Sequence, residues 1–261
     1  MDCCFGGAVT RALNYMGEAY TYEQIMGMSG ACYRIHFTDV WDWSATDALV
    51  AYGYDAPLCR AIGYEAVWAG RIEAKDRVAE RRNIVSDIQL GRPIVAINLR
   101  VAPEWGVITG YGDNGKTLYC RTYFDKVLLN EDGMAAENAN LAHFDSKGEY
   151  LLADNWPWGI MHLRKKSPCD HEQSMTAEEI LRQSLQTAVS SFEQPQERGY
   201  WQGEQAYEHW IAGLKDDSLW NRDNMRDDFS RRASVNECTL RSLIDERRCA
   251  AVPLCIYVKT A

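Results

Sequence analysis

The stretch WGVITGYGDNGKTLYCRTYF (105–124) contains two runs rich in β-branched, aromatic and small apolar residues, separated by a Gly-Asp-Asn-Gly turn at 112–115. Glycine and Asx residues between two such runs are typical of a β-hairpin, because they adopt the backbone angles of tight turns at little cost. The preceding run, PIVAINLRV (93–101), is almost continuously apolar, which favours a buried strand. Together these segments predict the centre of a β-sheet.

Other segments carry weaker strand and helix signals. The runs EYLLADNW (149–156) and GIMHLRKK (159–166) are predicted to form a second strand pair joined through Pro157. Apolar residues at three- and four-residue spacing predict a helix over 4–16, ended by Gly17. Further helices are predicted at 22–28, within WSATDALVAYG (43–53), and across the charged segment 71–90.

The pattern changes after the polar segment SPCDHEQS (167–174). Thr176 and Glu179 form a capping-box motif, and the helix that follows is expected to bury one apolar face. That face contains Ile180, Leu181, Leu185, Ala188, Val189 and Phe192. Two more helices are predicted at 203–214, with Tyr207, Trp210, Ile211 and Leu214 inward, and at 235–252. The fold class is therefore α+β over residues 1–166, with an all-α extension over 175–261 packed on it.

Composition limits the classes of partner. The 261 residues, 46% of them hydrophobic, are enough for a substantial core, and the formal charge is −9 with a pI of about 5.1. Nucleic acid and anionic membrane surfaces need a basic face, so neither is an expected partner. The sequence contains no apolar run long enough to span a membrane and no signal-peptide pattern at its start. A cytoplasmic protein is expected.

The nine cysteines do not follow a disulfide or metal-site pattern. Their number is odd, there is no C-x-x-C pair, and the triplet Cys169-Asp170-His171 is too tight to offer two good ligands to one metal ion. We expect reduced thiols, no metal and no cofactor.

Cys3 and Cys4 lie at the start of the first predicted helix. A helix N-terminus presents free N–H groups and a positive dipole end, which lower the pKa of a thiol and favour a nucleophile. Cysteine is also a small apolar residue that packs well at the start of a buried helix. Both interpretations are open on this observation.

Three segments together resemble the papain-like cysteine peptidase fold. They are Cys4 through Tyr15-Met16-Gly17, the stretch Leu90-Gly91-Arg92-Pro93-Ile94-Val95, and the hairpin at 105–125. The order and spacing are most similar to the bacteriocin leader-processing peptidases and the butirosin-biosynthesis acyltransferase family. The stretches at 199–214 and 241–254 resemble the helical region that follows the papain-like part in the second of these.

The resemblance implies a site built on Cys4 as nucleophile, selected over Cys3 by its distance from Gly17. It also implies a histidine at the head of the strand that begins at Trp105, but Glu104 occupies that position. Asp125 is the candidate orienting carboxylate, and His36 is a candidate replacement for the missing histidine. An oxyanion donor is expected upstream of the cysteine, where this sequence has only three residues. The candidate substrate-binding residues are Cys3, Trp41, Trp43 and Trp105.

The expected function is cysteine-dependent acyl transfer on a peptide, amide or thioester, with water or a small-molecule amine as acceptor. The alternative is an inactive relative that binds a peptide or acyl carrier, which Glu104 in place of histidine favours. A third interpretation is that cleavage before Cys3 or Cys4 creates an N-terminal nucleophile. A second copy of the chain, forming a homodimer, is a further candidate partner.

Overall fold

A computed structural model describes residues 3–70, 72–99, 104–123, 149–151, 156–166, 175–220 and 226–260. The protein has an α+β fold. It divides into two compact units, which we call the sheet unit (Cys4–Tyr20 and Tyr64–Pro168) and the helical unit (Met1–Cys3, Thr21–Gly63 and Cys169–Ala261). No helix in the described ranges is both long and apolar enough to cross a bilayer.

The helices are α1 (Cys4–Tyr15), α2 (Tyr22–Ser29), α3 (Asp55–Ile62), α4 (Ala74–Gln89), α5 (Ala177–Glu193), α6 (Gly203–Lys215) and α7 (Arg226–Thr260). The strands are β1 (His36–Phe37), β2 (Tyr64–Ala69), β3 (Ile94–Ile97), β4 (Trp105–Gly112), β5 (Thr117–Thr122), β6 (Glu149–Leu151), β7 (Gly159–Lys165), β8 (Gln196–Glu197) and β9 (Tyr200–Gln202).

The sheet unit contains an antiparallel sheet whose strand order, over the described residues, is β2-β7-β3-β4-β5-β6. The predicted hairpin is confirmed, since β4 pairs with β5 from Gly106 opposite Thr122 to Gly112 opposite Thr117. Asn114 in the turn has a φ of 55°, a left-handed conformation that asparagine tolerates better than most residues. The hairpin therefore forms where the turn residues indicate it.

The predicted pairing of the runs at 149–156 and 159–166 is wrong. β6 pairs with β5, whereas β7 inserts between β2 and β3. Residues 160–163 of β7 are all buried, as suits a central strand covered on both faces. Proximity along the chain suggested a hairpin, but burial of this apolar run required two neighbouring strands.

The two faces of the sheet pack against different helices. Phe5 of α1 contacts Trp105 of β4, whereas Ile84 of α4 belongs to a buried cluster that includes Ile94 and Ile108. Trp105 and Ile108 lie on opposite faces because side chains alternate along a strand. The start of α1 is thereby held against the start of β4.

The helical unit includes a small antiparallel sheet of order β1-β9-β8. Residues 196–202 form the β8–β9 hairpin, so the C-terminal region is not all-α as expected. Its aromatic core includes Trp41, which packs edge-on against Phe37 and Trp220.

The helix predicted within 43–53 is wrong. Trp43–Thr46 form only a 3₁₀ turn, and the next helix, α3, begins after eight intervening residues. The Asp42 side chain caps the turn, and Asp47 Oδ1 accepts the N–H of Leu49 at 2.6 Å. Such side-chain bonds to the backbone compete with helical hydrogen bonds and end the segment early.

The capping box of α5 is confirmed, because Thr176 accepts from the Glu179 N–H while Glu179 accepts from the Thr176 N–H. The apolar face predicted for this helix is not the buried face. Ser184, Thr187 and Ser191 point inward, while Leu185, Val189 and Phe192 are exposed. In α6 the predicted Trp210 is buried, but Ile211 and Leu214 are exposed.

Candidate functional site

Cys4 is the first residue of α1 and is half-buried. The backbone N–H of Trp105 donates to its Sγ, with a nitrogen–sulfur distance of 3.4 Å. The contact joins residues 101 positions apart and follows from the packing of α1 on β4. A helix N-terminus and an N–H donor both stabilise a thiolate relative to a thiol, so this sulfur is well placed for nucleophilic chemistry.

An aromatic cluster fixes the Trp105 backbone beside Cys4. The Trp105 ring meets Phe5 edge-on at 5.3 Å between centroids and Trp68 at 6.0 Å. Trp105 is 4% exposed, so its indole is a packing group within this cluster. The role in substrate binding expected for this side chain stays a prediction, while its backbone makes the contact to sulfur.

Glu104 lies at the head of β4, immediately before the residue that bonds to Cys4. Its backbone carbonyl accepts the N–H of Asn98 at 3.0 Å, which closes the end of the β3–β4 ladder. The residue is half-buried. The resemblance implies a histidine at position 104, which directly precedes the residue whose backbone contacts Cys4. A glutamate occupies this position instead.

His36 lies in the helical unit and is 3% exposed. Burial, reinforced by the charge of Arg34, lowers the pKa of His36 to about 3. Its Nδ1 lies 3.3 Å from the carbonyl of Asp47, consistent with an Nδ1–H donor, and its Nε2 has no hydrogen-bond partner among the described residues. An imidazole with so low a pKa is a weak base, which argues against the role expected for His36 beside a cysteine.

Cys3 is buried in the helical unit, in contrast to Cys4. Its N–H donates to Tyr22 Oη at 3.1 Å, and that hydroxyl donates to Asp245 Oδ2 at 2.6 Å. Burial raises the pKa of Tyr22, so this chain of hydrogen bonds holds a neutral phenol. Cys3 thus forms part of a structural network linking the start of the chain to α7.

The other two tryptophans expected to bind substrate lie in the helical unit. Trp41 is 2% exposed within the aromatic core, and Trp43 Nε1 donates to Ser234 Oγ at 3.3 Å. Their substrate-binding role stays a prediction. Asp125, the candidate orienting carboxylate, lies outside the described residues.

A buried charged cluster in the sheet unit was missed by the sequence analysis. His162 of β7 lies between two carboxylates of α4, with Nδ1 2.6 Å from Asp87 Oδ2 and Nε2 2.6 Å from Glu80 Oε1. Arg92 Nε donates to the other oxygen of Asp87 at 3.2 Å. Glu80 and Asp87 are seven residues apart, which places them on one helix face, and this spacing was the signal available in the sequence.

The hydrogen bonds in the cluster shift the pKa of each member in the direction that favours its charged form. Burial alone would lower the pKa of His162, but the hydrogen bonds to Glu80 and Asp87 outweigh it and raise this pKa. Burial would likewise raise the pKa of Glu80 and of Asp87, but bonds to His162, to Arg92 at Asp87 and to Asn83 at Glu80 lower both. With each ring nitrogen donating to a carboxylate, the cluster is a closed structural network rather than an open catalytic group.

An open groove of about 680 Å³ in the helical unit is lined by α3 and α5. Its polar groups already bond to one another, since Arg60 Nε donates to Gln183 Oε1 at 2.8 Å and Arg182 Nη2 donates to Glu178 Oε1 at 2.9 Å. Over the described ranges, no group of three His, Cys, Asp or Glu side chains is arranged to hold a metal ion. Cys4 therefore remains the most specific candidate for a catalytic residue.

Comparison with protein-family models and with curated proteins returned no match.

Proposed function

We propose that the protein is a cysteine-dependent acyl-transfer enzyme on a papain-like fold, with Cys4 as the nucleophile. The Cys4 Sγ attacks the carbonyl carbon of a thioester or amide, and the bond to the leaving thiolate or amine breaks to give an S-acyl cysteine. An amine or water then attacks that carbonyl and releases the free thiol. The papain-like assignment rests on the sequence resemblance together with the packing described next.

The observation that carries the proposal is the contact between Cys4 Sγ and the Trp105 N–H. It joins a thiol at a helix N-terminus to the head of a central strand, which is the juxtaposition that the resemblance implies. Each feature favours the thiolate, the form of cysteine that attacks carbonyls. Glu104, next along the chain to Trp105, is the candidate acceptor of the thiol proton.

The second candidate function is binding of a peptide or acyl carrier without turnover. It is favoured by the carboxylate at position 104, because a carboxylate does not form the thiolate–imidazolium pair on which papain-like enzymes depend. The two functions differ in one measurable step, the formation of a covalent acyl-enzyme.

We expect incubation with a small acyl thioester to add one acyl group to the protein, located on Cys4 by peptide mass spectrometry. The label should be absent in the Cys4→Ser variant and reduced in Glu104→Gln, because these remove the nucleophile and the proton acceptor. Hydroxylamine should release it, as expected for a thioester.

Cys238 is the matched internal control, because it is half-buried like Cys4 but lies within α7. Equal labelling of Cys4 and Cys238 would show only general thiol reactivity and would contradict the enzymatic proposal. Saturable binding of the thioester without any label on Cys4 would instead support the binding function.

A further inference from the structure

The amphipathic helix α5 presents its apolar side to solvent. Leu185, Val189 and Phe192 recur at four- and three-residue spacing, and they are 42%, 55% and 46% exposed. Leu181, one turn before Leu185, is half-buried on the same side. We call these four residues the α5 stripe. An exposed apolar stripe of this length on a surface helix is a mark of an interaction site.

The orientation of α5 is fixed by its small polar residues. Ser184, Thr187 and Ser191 are 4–6% exposed, and Ser184 Oγ donates to the carbonyl of Gly27 in α2. A Cβ at Gly30 would lie 2.7 Å from Thr187 Cγ2, so the two backbones approach more closely than a larger residue would permit. Rotating α5 to bury the stripe would break this packing, so the exposed side belongs to the folded state.

The charges beside the stripe select a partner. On a helical wheel, Arg182 and Glu193 flank the same edge of the stripe, one towards each end, and Arg182 also bonds to Glu178 of its own helix. An antiparallel pairing of two α5 helices about a twofold axis midway between these residues places Arg182 of each copy opposite Glu193 of the other. A parallel twofold pairing would instead place this edge of the two copies on opposite sides of the contact, so that Arg182 of one copy would not face Glu193 of the other.

We propose that the α5 stripe is a homodimer interface in which two copies of the chain pair α5 with α5 in antiparallel orientation. A twofold contact buries the same surface on both subunits and closes the assembly at two. The net charge of −9 and the acidic first turn of α5 disfavour an anionic membrane as the occupant. The helix is about 25 Å long, so the contact between two such helices is small. Because interfaces that bury less than about 1,200 Å² are weak, the dimer is expected to have a dissociation constant in the micromolar range.

Sedimentation velocity of the full chain from about 1 to about 200 µM tests the proposal, and a reversible monomer–dimer equilibrium is expected. The Val189→Asp variant places a charge at the centre of the stripe and should weaken the dimer by about 100-fold. Val78→Asp is the matched control, because Val78 is a 59% exposed valine on α4, and it should leave the equilibrium unchanged.

Charge reversal tests the antiparallel geometry. Arg182→Glu should weaken the dimer by about tenfold, and adding Glu193→Arg in the same chain should restore it. A chain that stays monomeric across the concentration range would overturn the proposal. So would a dimer that Val189→Asp leaves intact, or one that Val78→Asp weakens equally. A dimer that Arg182→Glu leaves intact, or that the added Glu193→Arg does not restore, would overturn the antiparallel pairing.

Discussion

Replacing His162 with alanine is expected to destabilise the fold by about 3–5 kcal/mol at pH 6, measured as the free energy of unfolding in urea. The imidazole is 3% exposed and lies between Glu80 and Asp87 at 2.6 Å from each. Its removal leaves two inward carboxylates, of which, among the described residues, Asp87 retains the cation Arg92 while Glu80 loses its imidazole partner. An uncompensated buried charge is costly, and the cavity left by the ring adds to the loss.

The pH dependence gives a second test of this cluster. The pKa of His162 is raised above its ordinary 6.5, so its contribution is complete below pH 6.5 and is lost as the pH rises through the folded-state pKa. The pKa values of Glu80 and Asp87 are lowered from 4.5 and 3.8, so their contributions are present above those values and are lost on acidification through the folded-state pKa. The contribution of the cluster should therefore be greatest between pH 4.5 and 6.5.

Lys165 provides the matched control on the same strand. Its Nζ lies 2.7 Å from Glu18, but the side chain is 69% exposed. Lys165→Ala should leave stability nearly unchanged, because water screens an exposed ion pair. Equal losses for the two alanine variants would contradict the interpretation of His162 as a buried charge held by two carboxylates. The interpretation would also be contradicted if the difference in free energy of unfolding between wild type and His162→Ala did not decrease at alkaline pH.

The second large effect is expected at Glu246 of α7. Its carboxylate lies 2.6 Å from Arg34 Nη2, and both side chains are at most 3% exposed. Burial alone would lower the pKa of Arg34, but Glu246 and other anionic groups outweigh it and raise this pKa. Glu246→Leu removes the main counter-charge and should reduce the free energy of unfolding by about 3–5 kcal/mol.

A double variant distinguishes loss of charge pairing from loss of shape. Arg34→Met combined with Glu246→Leu removes both charges and should recover most of the stability lost by Glu246→Leu alone, because well-packed apolar groups can replace a buried ion pair. Additive destabilisation in chemical denaturation of the single and double variants would contradict this interpretation.

The parts of the fold that the sequence predicts are those with local signals. The β4–β5 hairpin follows from its turn residues, and α1 and α5 follow from periodicity and a capping box. The position of β7 between β2 and β3 has no local signal, because strand partners are chosen by the packing of the whole sheet. Which side of α5 is buried could not be predicted from the sequence either, because it depends on the fit of Ser184 and Thr187 against α2.

In the candidate site, too, some features could be predicted from the sequence and others depend on tertiary packing. Cys4 and the head of β4 were predicted by resemblance, and the structure places the Cys4 sulfur against the Trp105 N–H. The low pKa of His36 could not be foreseen, because it arises from burial beside Arg34. The pairing of His162 with Glu80 and Asp87 required knowing which sheet face α4 covers.

The most direct test of an activated Cys4 is its rate of alkylation by iodoacetamide as a function of pH, followed by peptide mass spectrometry. At about pH 6, well below the ordinary thiol pKa near 8.5, Cys4 is predicted to react at least about tenfold faster than Cys238 in the same sample. Because both residues are half-buried, the comparison separates thiolate formation from simple access. A Cys4 that reacts no faster than Cys238 until about pH 8 would contradict the proposed nucleophile.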